Sequence, residues 1–174
     1  MNSTTSVPVA DIVAALKVRY PAAVCALDWG GQHDSDPETR RRNGWRLLVM
    51  ARLSAQCTDA RVNLVTPALF TRYPTLEAFA DADIAEVETY VHSCGFYKHK
   101  ARDIVLSCQM LLERFGGRVP GTMEELTALP GIGRKTANLI LGDIYGQPAY
   151  VCDTHCIRIT GRLGLTDGSK DPLS

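Results

Sequence analysis

The sequence predicts an all-α fold, and three observations carry that prediction. Apolar residues recur at helical spacing in one segment after another. Glycines and prolines fall where those segments end, and no stretch alternates apolar and polar residues between turn dipeptides as strands do. In chain order, Val9 to Tyr20 is amphipathic and Pro21 closes it. Gly30 to Asn43 is polar and turn-rich, a loop carrying the basic run Arg40-Arg41-Arg42. Trp45 to Gln56 is apolar at helical spacing and is expected at the centre of the core. Thr58 or Asp59 can cap a helix running toward Tyr73, with a kink expected at Pro67. Asp83 to Cys94 and Lys98 to Phe115 are helices followed by Gly95 and Gly116, residue types that suit left-handed C-caps. Thr122 and Glu125 have the spacing of a capping box before a short helix. Arg134 to Tyr145 and Asp153 to Leu163 complete the set, with Asp153 or Thr154 at the last cap.

Composition narrows the class. The chain has 174 residues, long enough to bury a proper core, with 19 basic residues against 19 acidic ones. No global field draws it to nucleic acid, so any DNA affinity has to come from a local patch. Met1 to Ala10 has neither the basic nor the apolar part of a signal peptide, and no uncharged apolar run approaches a membrane span. The expectation is a cytoplasmic protein with no membrane association. The six cysteines, Cys25, Cys57, Cys94, Cys108, Cys152 and Cys156, contain no CxxC pair. They read as reduced, mostly buried small hydrophobes. Cys152, His155 and Cys156 are too slight a signal for a metal site, and no bound metal is expected.

The densest chemistry lies at Leu129-Pro130-Gly131-Ile132-Gly133-Arg134-Lys135-Thr136, followed eighteen positions after the lysine by Asp153. Gly131 and Gly133 can take positive φ and let the backbone approach a ligand closely. Pro130 sets the entry, and the following helix opens with amides that have no intrahelical partner. Such a helix start attracts phosphate. Lys135 in the first turn is expected to be partly buried there. The dipole, Arg134 and burial all favour its neutral amine, which can attack an electrophilic carbon to form a Schiff base. Taken singly, a lysine is usually a solvated surface residue and an aspartate before a helix is usually an N-cap. Their joint placement around the Gly146-Gln147-Pro148-Ala149 connection argues otherwise.

Taken with Ser54-Ala55-Gln56-Cys57-Thr58-Asp59, Gly95-Phe96-Tyr97, Lys100-Ala101 and Asp153-Thr154-His155, this hairpin resembles the helix-hairpin-helix glycosylase superfamily, and within it the endonuclease III family. The resemblance covers about Trp45 to Leu163. It implies a DNA glycosylase with abasic-site lyase activity that acts on oxidised pyrimidines in double-stranded damaged DNA, as a monomer. It implies nucleotide extrusion, attack of Lys135 on C1′, and β-elimination through the imine. Asp153 would either help deprotonate the lysine or stabilise positive charge on the sugar. By position Gln56 would fill the gap left by the flipped nucleotide and Phe96 would be the wedge between bases, where relatives more often carry an aliphatic residue. The DNA grip would come from Gly131, Gly133 and Arg134, with a basic patch of Lys98, His99, Lys100 and Arg102. Without the resemblance, Gln56 reads as a surface helix end, Phe96 as packing, and the four cations as a solvated helix face. His155 reads as structural or orienting.

Two domains are implied. The first is a six-helix domain over residues 37–147 with the hairpin at 129–136. The second is an incomplete helical domain from 1–36 and 148–174, leaving the apolar face of Val9, Ile12, Val13 and Leu16 short of cover. Relatives continue into a four-cysteine loop holding a [4Fe–4S] cluster. No cysteine here has that spacing, so no cofactor is expected on this chain and a cluster would require cysteines beyond Ser174. The turn-like Gly168 to Pro172 and the abrupt end suggest a fragment. Two other readings stand beside the first. A monofunctional mismatch (adenine) glycosylase would generally lack Lys135 and activate water. A non-catalytic, truncated DNA-binding module would have no need of Asp153 together with the Gly146/Pro148 loop.

Overall fold

The computed structural model describes residues 8–23 and 25–166. These form α1 (Val9–Arg19), α2 (Pro37–Asn43), α3 (Trp45–Ser54), α4 (Asp59–Arg72), α5 (Leu76–Ala80), α6 (Ile84–Val91), α7 (Tyr97–Phe115), α8 (Met123–Thr127), α9 (Arg134–Tyr145) and α10 (Thr154–Arg162). No strand occurs among the described residues, and none of their helices is long and apolar enough to cross a membrane. The turn expected at 168–172 and the chain end lie outside them. The chain divides into two compact units, residues 25–150 and residues 1–24 with 151–174.

In the larger unit α3 is the central helix, as its composition predicts. Seven of its ten residues are buried, a pattern that only a helix surrounded by others can satisfy. Trp45 stacks edge-on against Phe70 and Phe79, and Tyr73 lies against Phe79. The remaining core is the apolar stripe of each surrounding helix, including Val62, Leu69, Val87, Ile104, Leu111, Leu126 and Ile140. Each such side chain contributes about 1.5–3 kcal/mol on leaving water.

Two helices go beyond the sequence expectation. The stretch expected as a loop through Asn43 contains α2, with Pro37 in its first turn and Asp36 accepting from the amides of Glu38 and Thr39. An all-polar segment has no apolar periodicity, so Asp-Pro is its only helical signal. Likewise α5 is a single turn capped by Thr75. The basic run is spent on structure. Arg40 donates to the Asp143 carbonyl, Arg41 lies over the Tyr145 ring, and Arg42 pairs with Glu38. Residues 25–36 also belong to this unit, which therefore begins before Pro37. Trp29 is buried and its indole N–H donates to Asp143 at 2.9 Å. Asn63 donates to the Ala26 carbonyl and accepts from the Asp28 amide.

Helix ends follow the expected caps with one exception. Gly116 and Gly146 are left-handed C-caps, but α6 ends at His92 in right-handed conformation and Gly95 does not take positive φ. The left-handed residue there is Phe96. α4 continues through Pro67. In the smaller unit, neither α1 nor α10 has a buried residue, and Val9, Val13 and Leu16 are exposed.

Candidate nucleic-acid interface and catalytic residues

Three turns of the larger unit carry the residues singled out in the sequence. The first follows α3. Gln56 is exposed there and left-handed, with φ 54°. The second precedes α7, where Phe96 has φ 58° and is 66% exposed. These are the only non-glycine residues with positive φ among those described. Such a conformation costs of order 1–3 kcal/mol and persists only where its surroundings impose it. The two turns abut, since a Cβ on Gly95 would lie 3.7 Å from the Gln56 carbonyl oxygen.

The third turn is the hairpin between α8 and α9. Leu129 and Ile132 are buried and anchor it, with the Ile132 amide donating to the Leu129 carbonyl at 3.2 Å. Gly131 has φ 72°, and a Cβ there would fall 2.2 Å from Arg52 Nε and 2.5 Å from Asp103 Oδ2. Glycine is therefore required twice, by backbone and by space. Gly133 differs from the expectation of positive φ. It is extended, at φ −97° and ψ 175°, and nothing lies within 4 Å of where its Cβ would be. Its small size leaves open the approach to the start of α9, which no side chain caps. The amides of this first turn have no partner within the helix and face an incoming anion with the positive end of the dipole.

Arg134 and Lys135 occupy that first turn, and both are exposed. The partial burial expected of Lys135 is not observed. Asp153 is the N-cap of α10, its Oδ1 accepting from the Cys156 amide at 2.8 Å. The cap engages one carboxylate oxygen, and the side chain is half-buried. The local reading of Asp153 as a cap is realised, and a chemical role is compatible with it. His155 lies within hydrogen-bond distance of Arg158 on the same helix, 3.1 Å apart.

Lys98, His99 and Arg102 are exposed on the first turns of α7. Lys100 is not with them. It is 1% exposed, and its ammonium donates to the Leu53 carbonyl at 2.8 Å, closing the C-terminal end of α3. Burial holds its basicity below the ordinary lysine range. Lys100 is thus corrected from a phosphate contact to a structural residue. The spacing carried the signal, because Lys100 shares the helical phase of Ile104, Cys108 and Leu111, all buried.

Two residues that sequence reasoning missed lie beneath the hairpin. Arg52 Nε and Nη2 donate to Asp103 Oδ2 at 2.9 and 2.6 Å, with side chains only 15% and 23% exposed. One turn further along α7, Ser107 donates to the Pro130 carbonyl at 3.1 Å. Arg52, set between Ala51 and Leu53 near the end of the apolar stretch 45–56, was the available clue, since a charge in such a helix needs a partner.

Two of the six cysteines are unsuited to ligating an iron–sulfur cluster. Cys94 and Cys108 are buried in the core, where desolvation pushes the Cys94 thiol up to about 11 and Cys108 higher still, away from the thiolate a cluster ligand must be. Among the described residues no group of three or more cysteine, histidine or acidic side chains is placed to hold a metal.

Residues 49–173 match the family described as HhH-GPD superfamily base excision DNA repair protein. Endonuclease III of Synechocystis sp. is 46% identical over 164 residues, covering 94% of this chain and 69% of that protein. Endonuclease III of Bacillus subtilis is 43% identical over 123 residues, covering 71% of this chain and 56% of that protein. Among solved structures, a non-covalent endonuclease III–DNA complex and a trapped endonuclease III–DNA covalent intermediate each superpose with TM-score 0.80 at 36% identity. Each alignment covers 95% of this chain and 72% of the other. A thermostable thymine-DNA glycosylase, 19% identical, shares the fold with TM-score 0.70.

Proposed function

Because the chain belongs to the HhH-GPD superfamily of base excision DNA repair proteins, we propose that it is a bifunctional DNA glycosylase and abasic-site lyase acting on oxidised pyrimidines. The observation that carries this reading is Lys135, an exposed amine in the first turn of α9, directly behind the uncapped, glycine-bearing hairpin. The hairpin grips a DNA phosphate, while Phe96 and Gln56 enter the stack as wedge and filler around an extruded nucleotide. Lys135 Nζ attacks C1′, the C1′–N bond to the damaged base breaks, and the base leaves with a proton. Loss of the amine proton and ring opening give the imine. Abstraction of a C2′ proton then expels the 3′ phosphate, cutting the strand 3′ to the site. Asp153 serves this sequence by accepting the amine proton or by countering positive charge on the sugar. The likeness to a trapped endonuclease III–DNA covalent intermediate supports a covalent route for this chain as well. We place the protein at the DNA of the bacterial cytoplasm, working as a monomer.

Borohydride trapping tests the reading. The protein is expected to become irreversibly crosslinked to a duplex bearing an abasic site, and Lys135→Ala to abolish the crosslink while duplex binding persists. Undiminished crosslinking in the variant would overturn the lysine assignment. No trapping at all by the unaltered chain would overturn the lyase activity.

A further inference from the structure

We infer that Arg52 and Asp103 are positioning residues that hold the hairpin, the Gln56 turn and the Phe96 turn as one DNA-reading unit. The inference rests on the function proposed above. Arg52 lies on α3 one helical turn before Gln56, and Asp103 lies on α7, the helix that Phe96 opens. Their ion pair forms the floor under Gly131, close enough that the hairpin tip has no room for a Cβ. One forked contact thus ties the helix that ends at the Gln56 turn to the helix that Phe96 opens, with the hairpin tip seated on it. Two further bonds run along the same face of α7: Lys100 to the Leu53 carbonyl of α3, and Ser107 to the Pro130 carbonyl of the hairpin. Positions 100, 103 and 107 share a helical face, so α7 presents a polar seam to both neighbours.

The chemistry of the pair suits alignment better than stability. A half-buried ion pair is often no more stabilising than an apolar replacement of the same volume, but it demands one geometry. Arg52 offers two donors in a rigid plane to one carboxylate oxygen, which fixes α7 against α3 in both distance and angle directly beneath the hairpin tip. Nucleotide extrusion from a gripped duplex needs that register, because the amides that hold the backbone and the side chains that enter the stack act on one stretch of DNA. A displacement of about 1 Å far from the reacting atoms can cost about a hundredfold in rate.

The test uses the full chain with Arg52→Lys and with the double variant Arg52→Met/Asp103→Leu. Three quantities are measured: the melting temperature, affinity for undamaged duplex and for duplex containing a tetrahydrofuran abasic analogue, and the borohydride trapping rate at saturating protein. The double variant is expected to melt at or above the wild-type temperature and to bind undamaged duplex within about twofold. Its preference for the abasic analogue and its saturated trapping rate should each fall about tenfold, the loss expected when oriented groups lose register. Arg52→Lys keeps the charge but not the fork, and should show the same pattern in weaker form. It keeps the question decidable if the double variant does not fold. If either folded variant retains both discrimination and trapping within twofold, the pair only stabilises the fold and the inference is overturned. If the wild type neither prefers abasic duplex nor traps, it is the proposed function that fails.

Discussion

The Gln56 carbonyl oxygen lies 3.7 Å from where a Cβ on Gly95 would sit, so the turn bearing Gln56 and the turn bearing Phe96 are one surface feature built from two distant segments. Both exposed residues on it are held left-handed, at φ 54° and 58°. Neither side chain is buried, so the strain is imposed on the backbone where the two turns meet and not by side-chain packing.

Phe96→Gly and Gln56→Gly should therefore leave stability unchanged or raise it by about 0.5 kcal/mol, since strain relief outweighs the unfolded-state entropy of glycine. Chemical denaturation measures this. Binding to an abasic analogue should weaken at the same time. A loss of stability above about 1 kcal/mol in Phe96→Gly would identify Phe96 as a packing residue instead.

The two hairpin glycines should respond differently to alanine. Gly131→Ala meets Arg52 and an unfavourable φ, and is expected to cost about 2 kcal/mol or more of stability together with DNA binding. Gly133→Ala has an extended backbone and open space, so the fold should be unaffected or gain up to about 1 kcal/mol. Its affinity for damaged and undamaged duplex should fall alike, because the methyl group crowds amides that read phosphate. Equal thermal destabilisation by the two alanines would contradict this account.

Asp153 both caps α10 and is assigned a chemical role, and two substitutions separate these. Asparagine caps as well as aspartate, so Asp153→Asn should keep the melting temperature yet slow base release by about 10² to 10⁴. Strand cleavage at a preformed abasic site should suffer less. Asp153→Ala should lose about 1 kcal/mol in addition. A near-normal glycosylase rate in Asp153→Asn would reduce the residue to its cap.

Lys98 and Lys100 are near neighbours with opposite fates. Lys98→Gln should reduce the slope of log affinity against log salt by about 0.9 for each phosphate it no longer neutralises, whereas Lys100→Met should leave the slope intact. The buried ammonium also has a pH signature. Its folded basicity is depressed, so between the folded value and the ordinary lysine value the unfolded chain binds more protons. Wild-type stability should accordingly rise with pH across that window relative to Lys100→Met, as urea midpoints at a series of alkaline pH values would register. Parallel pH profiles would contradict burial of the charged amine.

What the sequence determined by itself is local. Nearest-neighbour sterics and hydrogen bonds within one helical turn place the caps at Thr58, Thr122 and Asp153, the left-handed Gly116, and the hairpin glycines before the first turn of α9. The resemblance carried by those same segments assigned Lys135 and Asp153. Even the burial of Lys100 was written in the phase of α7, although its neighbourhood of cations masked it. Tertiary structure alone decided the rest. Arg52 and Asp103 are separated by 51 positions, and no local rule relates two charges so far apart. The need for glycine at Gly131 comes as much from the guanidinium beneath it as from its φ. Phe96 rather than Gly95 adopts the left-handed conformation beside a turn from another helix, a choice intrinsic propensity would reverse. In each case the deciding energy is a contact between segments that meet only when the helices pack.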